Sequence, residues 1–281
     1  MTYPIHIFDE QSTGRDAICI GPGNGFPPGV YAPLAALLGS DYHRVSLFPR
    51  PWWDDKIPEK FPNWRILADD LVAGIRQHNL APVIGMGHSM SGMALVMAAA
   101  KNPDLFRALI LIDPVILPPI AYWTYPLFNI LGTHIRMNMI KGAENRRREW
   151  PSVEDAYQHF RKASVFRRCS DEVMRLYAEG ITRPQKDGEG VELIYSPQWE
   201  ATIYHRSPAL NVWPLISRLK VPTCVIRGAE SNAFLPAAAR QMRRKRPDFP
   251  LVEIPGAGHL VPFEAPEAVA EAANAFLAKV T

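Results

Sequence analysis

Gly85-Met86-Gly87-His88-Ser89-Met90-Ser91-Gly92 is the stretch on which the reading of this chain turns. It follows a short apolar run, Pro82–Met86, and opens into a run of small and apolar residues, Met93–Ala100. A strand that turns at once into a helix holds its corner residue in a strained conformation, with the side chain projecting beyond the sheet. The positions two before and two after that corner must be tiny, because larger side chains collide across so tight a turn. Gly87 and Ser91 occupy them, which makes Ser89 the corner. The helix that begins just after Ser89 aims its amide dipoles at any negative charge developing there. Ser91 departs from the strict G-x-S-x-G pattern, whose last glycine comes one residue late as Gly92; serine is small enough to fit. Taken alone, the same letters also describe an ordinary glycine-rich strand, turn and helix.

Upstream and downstream, short apolar runs alternate with longer helical patterns over the first 113 residues. Ala17–Ile20, Arg44–Phe48, Pro82–Met86 and Ala108–Ile112 read as buried strands. Tyr31–Leu38, Asn63–His78 and Met90–Lys101 read as helices between them. In the second, Trp64, Leu67, Leu71 and Ile75 recur at three- and four-residue steps, with Asn63 placed to cap the N-terminus. Such alternation predicts a parallel sheet with helices on both faces. It stops at Asp113. Residues 114–212 are rich in aromatics and Arg and read as mostly helical with no strong buried strand. Alternation resumes with a strand in Val221–Gly228, a helix at Leu235–Arg246, a strand at Pro250–Ile254 and a helix at Pro266–Lys279. The division is therefore a core of residues 1–113 and 213–281 with a helical insertion at 114–212, too long for a mere connection.

Composition narrows the classes. The 281 residues suffice for a sizeable core, and 47% hydrophobic with 21% charged residues lies within the globular norm. A net charge of +3 calls for no nucleic-acid partner. Pro and charged residues break every candidate apolar run short of 18 residues, so no membrane span is expected. The N-terminal MTYPIHIFDE has no secretory pattern. Cys19, Cys169 and Cys224 form no metal spacing and read as reduced core thiols, pointing to a cytoplasmic location. The 27 prolines, about twice the usual share, predict many rigid turns.

The order of these features resembles the α/β-hydrolase family along essentially the whole chain. A glycine-rich turn follows an early strand, the GHSMSG corner comes next, then a mid-chain insertion and a late histidine. The resemblance is greatest to small serine hydrolases with an NGFPP-type turn and an LIDP segment. It implies that Ser89 is a nucleophile activated by an imidazole. Of eight histidines, His259 in Gly256-Ala257-Gly258-His259 follows the last predicted strand, where the family carries its base; His88 is expected to pack or hydrogen-bond within the turn.

The acid is contested. The usual family position, three residues beyond Gly228, is Ser231, which cannot hold a negative charge; Glu230 is one residue early. The family's other solution is Asp113, at the end of ALILID and 24 residues beyond Ser89. Asp113 is the preferred acid and Glu230 the alternative. The oxyanion hole is expected from the backbone N–H of Met90 and, in Gly23-Asn24-Gly25-Phe26-Pro27-Pro28, from that of Phe26, with Asn24 as fallback. That glycine spacing is not G-x-G-x-x-G, and Pro27 and Pro28 remove amides a phosphate would need, so a dinucleotide is not expected. No metal motif and no cofactor site is expected either.

The resemblance makes 114–212 a cap over the corner, supplying pocket walls. Ile120–Phe128 would then favour an apolar substrate part, or simply pack the cap down. Arg146–Arg148, Arg167–Arg168 and Arg243–Arg246 read as solvated helix faces; Trp52, Trp53 and Trp199 are placed at the pocket rim. The leading expectation is a monomeric or homodimeric hydrolase of small-molecule carboxylic esters. The alternatives are thioester, amide, lactone or C–C hydrolysis with the same residues, and a small-molecule receptor without turnover.

Overall fold

Side chains pointing alternately to two dry faces are what turn the apolar runs into strands. In a computed structural model, describing residues 2–9, 16–58, 61, 63–122, 133–186, 188–206 and 210–280, seven strands form one sheet. They are β1 (Ile5–Ile7), β2 (Ala17–Gly21), β3 (His43–Leu47), β4 (Val83–His88), β5 (Phe106–Ile112), β9 (Thr223–Gly228) and β10 (Leu251–Ile254). The order across the sheet is β1-β3-β2-β4-β5-β9-β10. All neighbours run parallel except β1, which pairs antiparallel with β3, Ile5 opposite Leu47. Ile18 and Ile20 of β2, Ile84 and Met86 of β4 and Ile110 and Ile112 of β5 enter one core. Cys19, Val83, Leu109 and Leu111 enter the other. Period two with both faces buried is the pattern of a parallel sheet between helix layers.

Helices α1 (Ala32–Leu37) and α10 (Pro266–Val280) supply Leu34, Val269 and Phe276 to the first core. Helices α2 (Arg65–Gln77), α3 (Met90–Lys101), α8 (Trp213–Ile216) and α9 (Pro236–Lys245) cover the other face. The expected alternation therefore holds on both sides of residues 114–212. Asn63 does not cap α2 itself: the N-cap is Trp64, and the Asn63 side chain accepts the Arg65 amide at 3.0 Å from one residue further out. The short edge strand β1 lacks a strong pattern and has no counterpart in the sequence reading.

The segment between β5 and β9 holds α4 (Thr133–Glu144), α5 (Val153–Arg161), α6 (Asp171–Ile181) and α7 (Pro197–Arg206). Ser152 and Ser170 cap α5 and α6, accepting the amides of Asp155 and Val173. One correction concerns strands. A small antiparallel sheet, β6 (Glu149–Trp150), β8 (Val191–Leu193) and β7 (Thr182–Pro184), stands in this segment. Two- and three-residue strands carry too few alternations to register as a period. Helix α6 comes down on the carboxyl edge of the sheet, where a Cβ on Gly180 would lie 2.8 Å from Pro27. Of the aromatic stretch Ile120–Phe128, residues 123–128 lie outside the described residues. Among the described residues, no helix is long and apolar enough to cross a membrane.

Sterics at the corner set a testable limit. A Cβ on Gly87 would sit 2.7 Å from the Gly92 nitrogen and the Ser91 carbonyl carbon, both backbone atoms that cannot swing aside. Gly142, on α4, has nothing within 4 Å of such an atom. Gly87→Ala is expected to lower stability by ~1–3 kcal/mol. Gly142→Ala should be neutral or add up to ~1 kcal/mol through helix propensity. Thermal melts of the two variants check the contrast.

Candidate active site

Ser89 stands at the end of β4 with φ 56° and ψ −116°, a region that L-residues rarely occupy. Its amide donates to Ile112 O at 2.9 Å, which fixes the corner against the end of β5. Ser91 has its own explanation. The Ser91 hydroxyl donates to Pro22 O at 2.5 Å, tying the first turn of α3 to the loop after β2. Room for it comes from Gly21, where a Cβ would lie 2.6 Å from that of Ser91. The departure from G-x-S-x-G is therefore matched by a glycine on the facing strand.

Three of the expected side chains meet in one line. Ser89 Oγ lies 2.9 Å from His259 Nε2, and His259 Nδ1 lies 2.6 Å from Asp113 Oδ2. A carboxylate oxygen accepts, so Nδ1 carries the proton and Nε2 keeps a lone pair facing the serine hydroxyl. Asp113 is 0% exposed and has φ 41°, another strained position. Its Oδ1 accepts the Gly228 amide at 3.1 Å, and its Oδ2 also accepts the Ser231 hydroxyl. Ser231, which occupies the usual family place for an acid, thus donates to the carboxylate that reaches the same spot from β5. Glu230 goes elsewhere. Its carboxylate, 54% exposed, pairs with Arg168 and makes no bond to His259. Glu264 accepts the Gly258 amide at 2.6 Å and lies 3.7 Å from Arg168, so a residue of the long inter-strand segment touches the His259 loop through two acids.

The two expected oxyanion amides differ. Met90 is the first residue of α3, where an amide has no intrahelical acceptor. The Phe26 amide donates to Gly23 O at 3.2 Å, closing a turn. The Asn24 side chain is engaged away from the corner: it donates to Glu200 O at 3.3 Å and accepts from Tyr195 at 2.7 Å. The Phe26 ring joins Phe263, Tyr177 and Phe166 in an aromatic cluster, with ring centroids 5.0 to 6.2 Å away.

His88 bonds across loops, not within its turn. It is 1% exposed; Nδ1 lies 2.7 Å from Tyr31 Oη and Nε2 lies 2.9 Å from the His259 carbonyl. Burial, reinforced by the neighbouring His259, pushes its pKa down to about 3. Tyr31 carries no local motif, and sequence reasoning missed it. Two further expectations are corrected. Arg146 is not solvated: it turns inward to pair with Glu200 at 2.6 Å and to donate to Tyr177, because a buried guanidinium needs a carboxylate partner. Trp199 is fully buried with its Nε1 on Asp54 O, a packing residue and not a rim, while the half-buried Trp53 donates its Nε1 to Phe48 O. Trp52 packs on Tyr195 at 4.9 Å.

Against known proteins, the profile of the alpha/beta hydrolase family matches residues 18–272. The chain belongs to that family. It is 27% identical over 249 residues to 2-(acetamidomethylene)succinate hydrolase of Mesorhizobium japonicum, covering 88% of this chain and 83% of that one. The solved structure of E-2-(acetamidomethylene)succinate hydrolase superposes with a TM-score of 0.80 at 23% identity, over 98% of this chain and 99% of that one. A malate-bound thermophilic esterase from Thermogutta terrifontis gives a TM-score of 0.69 at 22% identity, covering 99% and 93%. Family membership makes this a hydrolase.

The burial of His88 sets a pH dependence of stability. Its pKa falls from the ordinary 6.5 to about 3 on folding. Between those values the unfolded chain binds a proton that the native state lacks, so stability is full above about 6.5 and declines as pH falls toward 3. Urea midpoints measured from pH 7 to 4 should therefore fall more steeply in the wild type than in His88→Gln. The difference should reach at most ~1.4 kcal/mol per pH unit.

Proposed function

We propose that this hydrolase cleaves carboxylic esters through an acyl-enzyme on Ser89. The observation that carries the reading is the unbroken line from Ser89 Oγ through His259 to the buried Asp113 carboxylate. His259 Nε2 takes the hydroxyl proton as Ser89 Oγ attacks the carbonyl carbon, and Asp113 stabilises the imidazolium that results. The imidazolium then gives its proton to the leaving alcohol as the C–O bond breaks. Water attacks the acyl-enzyme, His259 again acting as base, and the acid product leaves with Ser89 restored.

The developing oxyanion is held by the Met90 amide at the start of α3 and by the Phe26 amide. The Phe26 bond to Gly23 is long at 3.2 Å, which suits an amide shared between a carbonyl and an incoming oxyanion. This chemistry calls for neither metal nor organic cofactor. Residues 114–212 act as a cap domain on the core of 1–113 and 213–281, supported by the seating of α6 against Pro27. Phe166 and Tyr177 from that cap, with Phe26 and Phe263, favour an apolar part in a small-molecule substrate. Three buried, unpaired thiols favour a reducing, cytoplasmic setting.

A second reading, amide hydrolysis by the same residues, draws on the likeness to a relative whose name describes an acetamido compound. Rates on p-nitrophenyl acetate and p-nitroacetanilide separate the two, the ester reading requiring the larger kcat/KM on the ester. A fluorophosphonate should add to Ser89, seen by peptide mass, and fail to add to Ser89→Ala. An unlabelled wild type would overturn Ser89 as the nucleophile. Asp113→Asn should lower kcat by about 10³–10⁴ through the wrong imidazole tautomer. Glu230→Gln, an exposed ion-pair residue, should change it by less than about twofold.

A further inference from the structure

We infer that His88 and Tyr31 are positioning residues that lock the glycine-rich loop and the His259 loop to the serine corner through one buried chain of hydrogen bonds. The inference rests on the hydrolytic reading of Ser89 and His259 and adds two residues to it. The chain has three links. Gly23 N lies 2.9 Å from Tyr31 Oη, Tyr31 Oη lies 2.7 Å from His88 Nδ1, and His88 Nε2 lies 2.9 Å from His259 O.

The direction of every link is forced. The His259 carbonyl can only accept, so His88 Nε2 carries the ring proton. His88 is neutral in its buried site, which leaves Nδ1 as an acceptor for the Tyr31 hydroxyl. The remaining lone pair of Tyr31 accepts the Gly23 amide. Tyr31 is 0% exposed, and Phe263 lies 4.8 Å from its ring and 5.7 Å from that of His88, so neither side chain is free to turn away.

Two consequences bear on the reaction. First, the main chain of the base is referenced to the residue just before the nucleophile, closing a ring: Ser89 backbone, His88 side chain, His259 carbonyl, His259 side chain, Ser89 Oγ. The distance across which the proton moves is then set by covalent and hydrogen-bonded links on both sides. At the other end the same chain holds Gly23, whose carbonyl receives the Phe26 amide. Second, both ring nitrogens of His88 are occupied. It has no lone pair with which to compete for the serine proton, and it stays uncharged 5.1 Å from a ring that becomes cationic during turnover.

The test is a double-mutant cycle with Tyr31→Phe and His88→Gln, read as kcat and KM on a p-nitrophenyl ester with thermal melts alongside. Tyr31→Phe removes one oxygen and keeps the ring packing, so it is the variant least prone to misfold. Each single variant should lower kcat about tenfold, the scale of one buried hydrogen bond. KM should move by less than about twofold, since the contacts to substrate are untouched. The double variant should be no slower than the slower single one, because the links act as a unit. Losses that multiply, or melting points that fall with kcat unchanged, overturn the inference. Nitrogen-15 NMR of the wild type provides a readout that needs no turnover: His88 should hold the Nε2–H tautomer from pH 5 to 8, and titration in that window overturns the proposal. If the wild type labels with fluorophosphonate and turns over while either result fails, the positioning role falls alone. A wild type that does neither removes the hydrolytic reading itself.

Discussion

The Asp113 carboxylate, fully buried at the end of β5, is the constraint around which the carboxyl edge of the sheet is organised. A charge taken out of water is tolerable only where donors replace its hydration. Three converge on it from separate segments: the Gly228 amide at the end of β9, the Ser231 hydroxyl just beyond, and His259 Nδ1 from the loop after β10. Satisfying one side chain thereby fixes the relative positions of three loops. The same demand accounts for the tight approach of the β9 loop to the His259 loop, where a Cβ on Gly228 would lie 2.1 Å from Gly258 O. It also accounts for Ser231, a donor where an acid would repel the carboxylate already present.

Close approach rules the serine corner in the same way. Gly87 leaves room for the first turn of α3, and Gly21 leaves room for the Ser91 side chain. Because β2 and β4 are paired in register, Gly21 opposite Gly87, the two absences of a side chain lie side by side. Ser91 then uses the space to bond Pro22 O, and Ser89 is held at positive φ by β5 and α3 together. Strain at the corner persists because packing on both faces over-determines it.

The segment between β5 and β9 is coupled to this edge by charge as well as by packing. Arg146 and Glu200 form a buried pair beside Gly25, and Arg168 reaches Glu230 and Glu264, the latter holding the Gly258 amide. Both arginines belong to clusters that, by composition alone, read as solvent-facing. Neither stands on a helix face: Arg146 follows the end of α4 and Arg168 lies in the turn before α6, where no periodicity reports orientation. A guanidinium turned inward looks the same in sequence as one turned out.

What the amino-acid order determined by itself was everything decided within a few residues. Apolar runs of strand length, buried on both faces, made the central sheet legible. Tiny residues around Ser89 made the corner legible, and the glycines just before His259 marked a loop from which an imidazole can point inward. The tertiary structure alone decided between Asp113 and Glu230 as partner of His259, since the two differ not in chemistry but in where a turn aims them. It alone paired Tyr31 with His88 and turned Arg146 inward. It also formed the short β1 edge and the β6-β8-β7 sheet. Such choices depend on contacts between residues as far apart as Asp113 and His259, 146 positions along the chain. Local sterics and periodicity carry no information about which distant donor will meet a buried acceptor; only the packing of the whole chain brings them together.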